Sequence, residues 1–135
     1  MSAGITETAK MQIVPYLYLY GRTEEALEFY KSVFGGSYEL SRHENSPKVM
    51  HASFTAPGVA FLCSDGRPGN EHDVDPDEGN VSLALSVTDK AEADRIFAAL
   101  SQGGSVKMPL DDAFWGGRFG VIHDKFGTEW MVTAP

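Results

Sequence analysis

With 135 residues, 42% of them hydrophobic and 22% charged, the chain has the composition of one globular domain with its own core, and no second domain is expected. A formal net charge of −8, offset by no Lys/Arg cluster, argues against nucleic acid and anionic membrane surfaces as partners. Cys63 is the only cysteine, so neither an internal disulfide nor a CxxC site can form, and a reducing cytoplasm is the expected setting.

No apolar run is long enough to span a bilayer, and residues 1–10, without an apolar leader core, read as a flexible tail. Residues 11–20 (MQIVPYLYLY) are aromatic and β-branched and predict a strand. The following residues 23–34 have helical periodicity: Thr23 is placed to cap, Glu24 and Glu25 suit the positive end of the dipole, and Ala26, Leu27, Tyr30, Val33 and Phe34 form an apolar stripe. Gly35 and Gly36 end it. Strands are then expected at 37–43, 49–55 and 59–64, separated by Asn45-Ser46-Pro47 and Pro57-Gly58 turns.

Residues 65–80 are acidic and rich in Gly and Pro, and read as a linker. Asp73, Asp75 and Asp77 mimic the start of a calcium loop, but Pro76 intrudes, Glu78 stands where glycine is required, and Ala84 holds the bidentate carboxylate position. A strand at 81–87, a helix at 91–100 capped by Asp89 or Thr88 and ended by Gly103-Gly104, and strands at 105–108, 117–123 and 128–133 complete the chain, with Asp124 to Gly127 as the last turn.

The second half repeats the order of the first. A shift of 67 positions lays Tyr30 on Phe97, Ala26 on Ala93, Glu25 on Glu92 and Tyr20 on Val87. The expected fold is therefore α+β: one domain over 11–135, with one βαβββ module at 11–64 and a second at 81–135. A unit of this kind leaves one sheet face uncovered, so two facing units would enclose a cup-shaped cavity suited to a small molecule.

GRTEEALEFYKSVFGG after the first strand, MHASF in the third, and DDAFWGGRFGVIHDKFGTEW near the end resemble PhnB-like members of the vicinal oxygen chelate superfamily, from residue 11 onward. The superfamily includes glyoxalases, extradiol dioxygenases, fosfomycin-modifying enzymes and metal-free antibiotic-sequestering proteins. The resemblance implies paired βαβββ modules and a homodimer. Its enzymes hold a divalent ion through His, Gln or Glu from four strands. At those positions this chain offers Pro15, Ser82 and Met131, and no carboxylate or imidazole at 59–64, so neither the standard metal site nor another cofactor is expected.

Strand alternation supplies candidates independently. Leu83, Leu85 and Val87 should face the helices and Ser82, Ala84 and Ser86 the cup. Met50, Ala52 and Phe54 should pack inward and His51, Ser53 and Thr55 face the cup, while Trp130 and Val132 pack and Glu129, Met131 and Thr133 line it. His51 and Glu129 emerge as an acid/base pair, with Ser53, Ser82 and Met131 as ligand contacts. Trp115 and Phe119 suit a lid and Arg118 an anion anchor; a packed turn explains them equally well. The face of the first strand stays open, since the resemblance turns Leu17 and Leu19 to the cup whereas an aromatic pocket would prefer Tyr16 and Tyr18. Cys63 reads as a buried residue, not a nucleophile.

Two function classes follow: a metal-free binder of a small polar or aromatic metabolite, which is favoured, and an enzyme. The enzyme would be a lyase, isomerase or dioxygenase-like protein with a displaced metal site at His51 and Glu129, or an acid-base catalyst using them without metal. A methyltransferase is disfavoured, since no glycine-rich loop joins a strand to a helix to hold a nucleotide-type methyl donor. Elemental analysis of natively purified, dialysed protein should find no stoichiometric divalent metal; metal at stoichiometric level that disappears in His51→Ala or Glu129→Ala would establish the displaced site.

Overall fold

In a computed structural model, residues 11–66 and 79–135 are described. The elements run β1 (Tyr16–Tyr18), α1 (Thr23–Phe34), β2 (Ser37–Arg42), β3 (Val49–Ala56), β4 (Val59–Ser64), then β5 (Leu83–Ser86), α2 (Lys90–Ser101), β6 (Ser105–Asp112), β7 (Arg118–His123) and β8 (Glu129–Ala134). Strand-helix-strand-strand-strand order thus occurs twice, in an α+β fold. The tail at 1–10 and the calcium-like stretch and most of the linker at 67–78 lie outside the described residues. Residues 11–66 belong to one compact unit and 79–135 to another.

In the first unit the sheet order is β1-β4-β3-β2, with β1 parallel to β4 and the other neighbours antiparallel. α1 packs its apolar stripe on one sheet face, burying Ala26, Leu27, Tyr30 and Val33. The Tyr30 ring meets Phe61 edge-on at 5.4 Å, and Phe61 stacks on Phe54 at 5.0 Å, so aromatic contact closes this core. The second unit repeats the arrangement as β5-β8-β7-β6, with β5 parallel to β8. Ala93, Ile96, Phe97 and Leu100 of α2 are buried, as are Ile122, Trp130 and Val132 of the sheet.

The glycine pair after each helix has a steric cause. A Cβ on Gly36 would lie 2.1 Å from the carbonyl oxygen of Thr55, and one on Gly104 would lie 2.1 Å from that of His123. Only glycine lets the chain leave the helix this close to the neighbouring strand.

The two helix starts differ. Asp89 caps α2, its carboxylate accepting the Glu92 N–H at 3.2 Å, as its sequence position suggests. Thr23 does not cap α1; it is the first helical residue and fully buried. The cap is supplied from a distance by Asp65, which the sequence reading assigned to the linker. The Asp65 carboxylate accepts the N–H groups of Gly21 and Thr23 at 3.0 Å and of Val49 at 2.9 Å, tying α1 and β3 to the end of β4. Burial opposes its ionisation, but the Thr23 side chain and the three backbone N–H groups prevail and hold its pKa below the usual carboxylate value.

Other boundaries shift for local reasons. β1 is shorter than 11–20, and β6 runs to Asp112 as an edge strand that accommodates Pro109 between irregularities in its pairing with β7. Met50 is 49% exposed, not packed inward. The β2–β3 register shifts at Ser41/Arg42, and Val49 takes the buried place at that end of β3.

Asp65→Ala leaves three N–H groups without their acceptor and should lower unfolding stability by roughly 3 kcal/mol in urea titration. Because the native carboxyl pKa is lowered, its contribution is full at neutral pH and is lost as the pH falls from about 4 through the native value. Asp65→Asn should be less stable at neutral pH and lack that acid-dependent loss.

Candidate functional site

Each sheet carries its helix on one face, and the candidate strand residues other than Arg118 lie on the other. In the first unit, Leu19 is 4% exposed whereas Tyr16 and Tyr18 are 38% and 53% exposed. This settles the face of the first strand: the tyrosines stand on the helix-free side. His51 is beside them, its Nδ1 3.5 Å from the Tyr16 hydroxyl and its ring 5.9 Å from the Tyr16 ring. Ser53, half-buried, shares that side of β3, with Glu39 and Leu62 as its ladder neighbours.

Cys63 faces the core. Burial, and secondarily the charge of Asp65, pushes its thiol up to about 12, so it stays protonated and inert.

In the second unit, Trp130 and Val132 are buried while Glu129, Met131 and Thr133 occupy the helix-free face, as alternation requires. Ala84 pairs with Met131 and Ser86 with Thr133, whose hydroxyl donates to Ser86 Oγ at 3.3 Å. Ser82 is half-buried just before β5. The principal addition to the sequence reading is His123. It lies opposite Glu129 in the β7–β8 ladder, and its Nε2 is 2.7 Å from Glu129 Oε1, with the imidazole 5% and the carboxylate 30% exposed. Glu129 therefore has a histidine partner within its own unit, distinct from His51. The signal was in the sequence: the turn over residues 124–128 brings His123 opposite Glu129.

Asp124 anchors that turn. Its carboxylate accepts the N–H of Phe126 at 2.9 Å and of Thr128 at 3.1 Å, and the indole Nε1–H of Trp130 at 2.9 Å. The DxFGxxW pattern is thus a structural clamp that sets where Glu129 emerges.

At the other end of β7, the turn after β6 is closed by the Ala113 N–H donating to Gly117 O at 2.7 Å and the Gly116 N–H to Ala113 O at 3.0 Å. The turn projects Trp115 against Phe119, edge to face at 5.7 Å, and Phe114 against Trp115 at 4.9 Å. These rings, with Met108, Pro109, Asp111, Asp112 and Ala113, line a pocket of about 470 Å³. Trp115 and Phe119 are brought together as the sequence suggested. Arg118 is not with them: alternation sends it to the helix side, where its guanidinium bonds Asp94 of α2 at 2.6 Å and the Leu110 carbonyl at 2.9 Å. An anion anchor would need that fork free, and it is occupied.

Among the described residues, no three His, Cys, Asp or Glu side chains converge to hold a metal. His123 and Glu129 supply two donors, already bonded to each other.

Paired βαβββ units with one helix-covered and one helix-free sheet face define the glyoxalase, or vicinal oxygen chelate, superfamily. A member of the glyoxalase/bleomycin resistance protein/dioxygenase superfamily from Sphaerobacter thermophilus DSM 20745 shares the fold, with a TM-score of 0.59 at 19% identity, over 94% of this chain and 100% of that one. More similar is protein PA1353 from Pseudomonas aeruginosa, 38% identical with a TM-score of 0.81 over 93% of this chain and 98% of that one. The PhnB protein from Bacillus cereus is 32% identical with a TM-score of 0.78 over 93% of this chain and 100% of that one. The family described as 3-demethylubiquinone-9 3-methyltransferase matches residues 11–133, and the chain belongs to this PhnB-like family.

Arg118→Ala, which also gives up the Leu110 carbonyl bond, should cost about 1 kcal/mol of stability and Asp94→Ala less, and the double variant little more than Arg118→Ala, because the ion pair is lost in all three. Denaturant titration of the three variants checks this.

Proposed function

We propose that the chain binds a small polar or aromatic metabolite in a cup, without the standard divalent metal. The observation that carries this reading is the aromatic pocket of about 470 Å³ beside Phe119, within the size range of small-ligand sites. Trp115 is 58% exposed and Phe114 98% exposed, apolar surface that gains by being covered. Pro15, Ser82 and Met131 at the superfamily's ligand positions support the metal-free form.

The family's description names a methyl transfer, and we do not assign that activity to this chain. At the helix starts, where a nucleotide-type donor would bind, the Gly21 and Thr23 N–H groups are taken by Asp65 and the Glu92 N–H by Asp89. The reading includes a cytoplasmic setting, in keeping with a single buried cysteine, and the homodimer that the resemblance implies. No helix among the described residues is long and apolar enough to cross a membrane.

One observation favours a second reading, acid-base catalysis. His123 and Glu129 form a carboxylate-imidazole pair on the helix-free face, an arrangement able to take a proton from a carbon beside a carbonyl. It stands beside the His51 and Glu129 pairing as a second version of the enzyme alternative.

A thermal-shift screen of polar and aromatic metabolites should find a stabilising compound, and Trp115→Ala should abolish its effect while leaving the unliganded midpoint within about 2 °C. A shift unchanged in Trp115→Ala would remove the pocket from the site. Turnover of a bound compound that Glu129→Gln and His123→Gln each reduce at least about 100-fold would replace the binder with the enzyme.

A further inference from the structure

We infer that the β6–β7 pocket is selective for planar aromatic cations. This rests on the binding function proposed above and names the ligand class of that site. Phe114, Trp115 and Phe119 present ring surfaces held by edge-to-face contacts, and Met108 adds a polarisable thioether. Ring faces carry negative quadrupole charge and attract a cation, most strongly for indole. Asp111 and Asp112 line the same pocket, and among the described residues neither carboxylate is in an ion pair.

No Lys, Arg or His is among the residues lining the pocket, and the Arg118 guanidinium, on the residue paired with Asp112 across the β6–β7 ladder, is held by Asp94 and the Leu110 carbonyl. An anionic aromatic ligand would meet two carboxylates with no counter-charge, and a neutral one would gain only contact area. A flat cation satisfies both wall types at once, stacking on the rings while its charge faces the aspartates. The pocket is pre-shaped for this. The 113–117 turn is pinned by its own hydrogen bonds, and a Cβ on Gly117 would lie 2.8 Å from the Ala134 carbonyl, so the hairpin sits tightly on β8.

The test is calorimetric titration of the full chain with three ring systems of matched size: 1-methylquinolinium, uncharged quinoline and 2-naphthoate. The cation should bind about tenfold more tightly than quinoline, with naphthoate weakest. Asp111→Asn/Asp112→Asn should bring the cation to the affinity of quinoline, and Trp115→Ala should weaken both.

The double Asn variant also separates a local site from bulk attraction. It moves the formal net charge only from −8 to −6, so a preference for the cation that survives in it arises from the whole acidic surface and overturns the inference. Equal affinity for the three probes, preference for naphthoate, or no binding of any overturns it as well. In each of these cases the broader binding function stands or falls separately, on whether the metabolite screen yields a Trp115-dependent ligand.

Discussion

Each unit has four strands and only one helix, and the consequences of that shortage organise the molecule. A helix can seal one face of a sheet; the other face needs a different cover or a ligand. Because side chains alternate strictly along a strand, the choice of face fixes every residue's environment at once. Phe54, Trp130 and Val132 go to the helix, and His51, Glu129 and Met131 go to the bare side. The same rule separates Arg118 from Phe119, adjacent in sequence and opposite in role.

Two buried carboxylates stabilise this scheme where it is weakest, at the ends of strands. Asp65 collects backbone N–H groups from the start of α1 and of β3, and Asp124 does so for the last turn while also holding the Trp130 indole. Both lie where a chain leaves the sheet and its backbone groups lose their ladder partners. Charge-assisted hydrogen bonds meet that need better than neutral ones.

The fold was legible because it depends on periodicity. Apolar spacing at 26, 27, 30 and 33 and again at 93, 96, 97 and 100 located both helices, and the 67-residue shift between them revealed the repeat. What could not be read were contacts made between elements distant in sequence. Asp65 looked like linker because its partners, Thr23 and Val49, are 42 and 16 residues away. Arg118 looked like a ligand group because arginine in an aromatic cluster has that chemistry, and only the strand's facing decides otherwise. Trp115 and Phe119 were singled out on residue type and Glu129 by strand alternation. Asp111, Asp112 and Phe114 were not singled out, since the exposed end of β6 and the turn after it carry no periodic signal until they come around a pocket. Met50 was misplaced by a bulge, which strict alternation does not anticipate.

The paired glycines hold a record of how the halves diverged. The helices are offset by 67 residues, Thr23 to Lys90 and Phe34 to Ser101, but Gly36 and Gly104 are offset by 68. One residue has therefore entered or left between helix and strand, at Gln102 in the second half. In a strand, such a change would have reversed every later side chain; at a helix exit it is absorbed before the sheet begins. The glycine after it, squeezed against a neighbouring carbonyl, restores the register. Both sheets thus keep facing the way their helices require although the two halves differ in length at this joint.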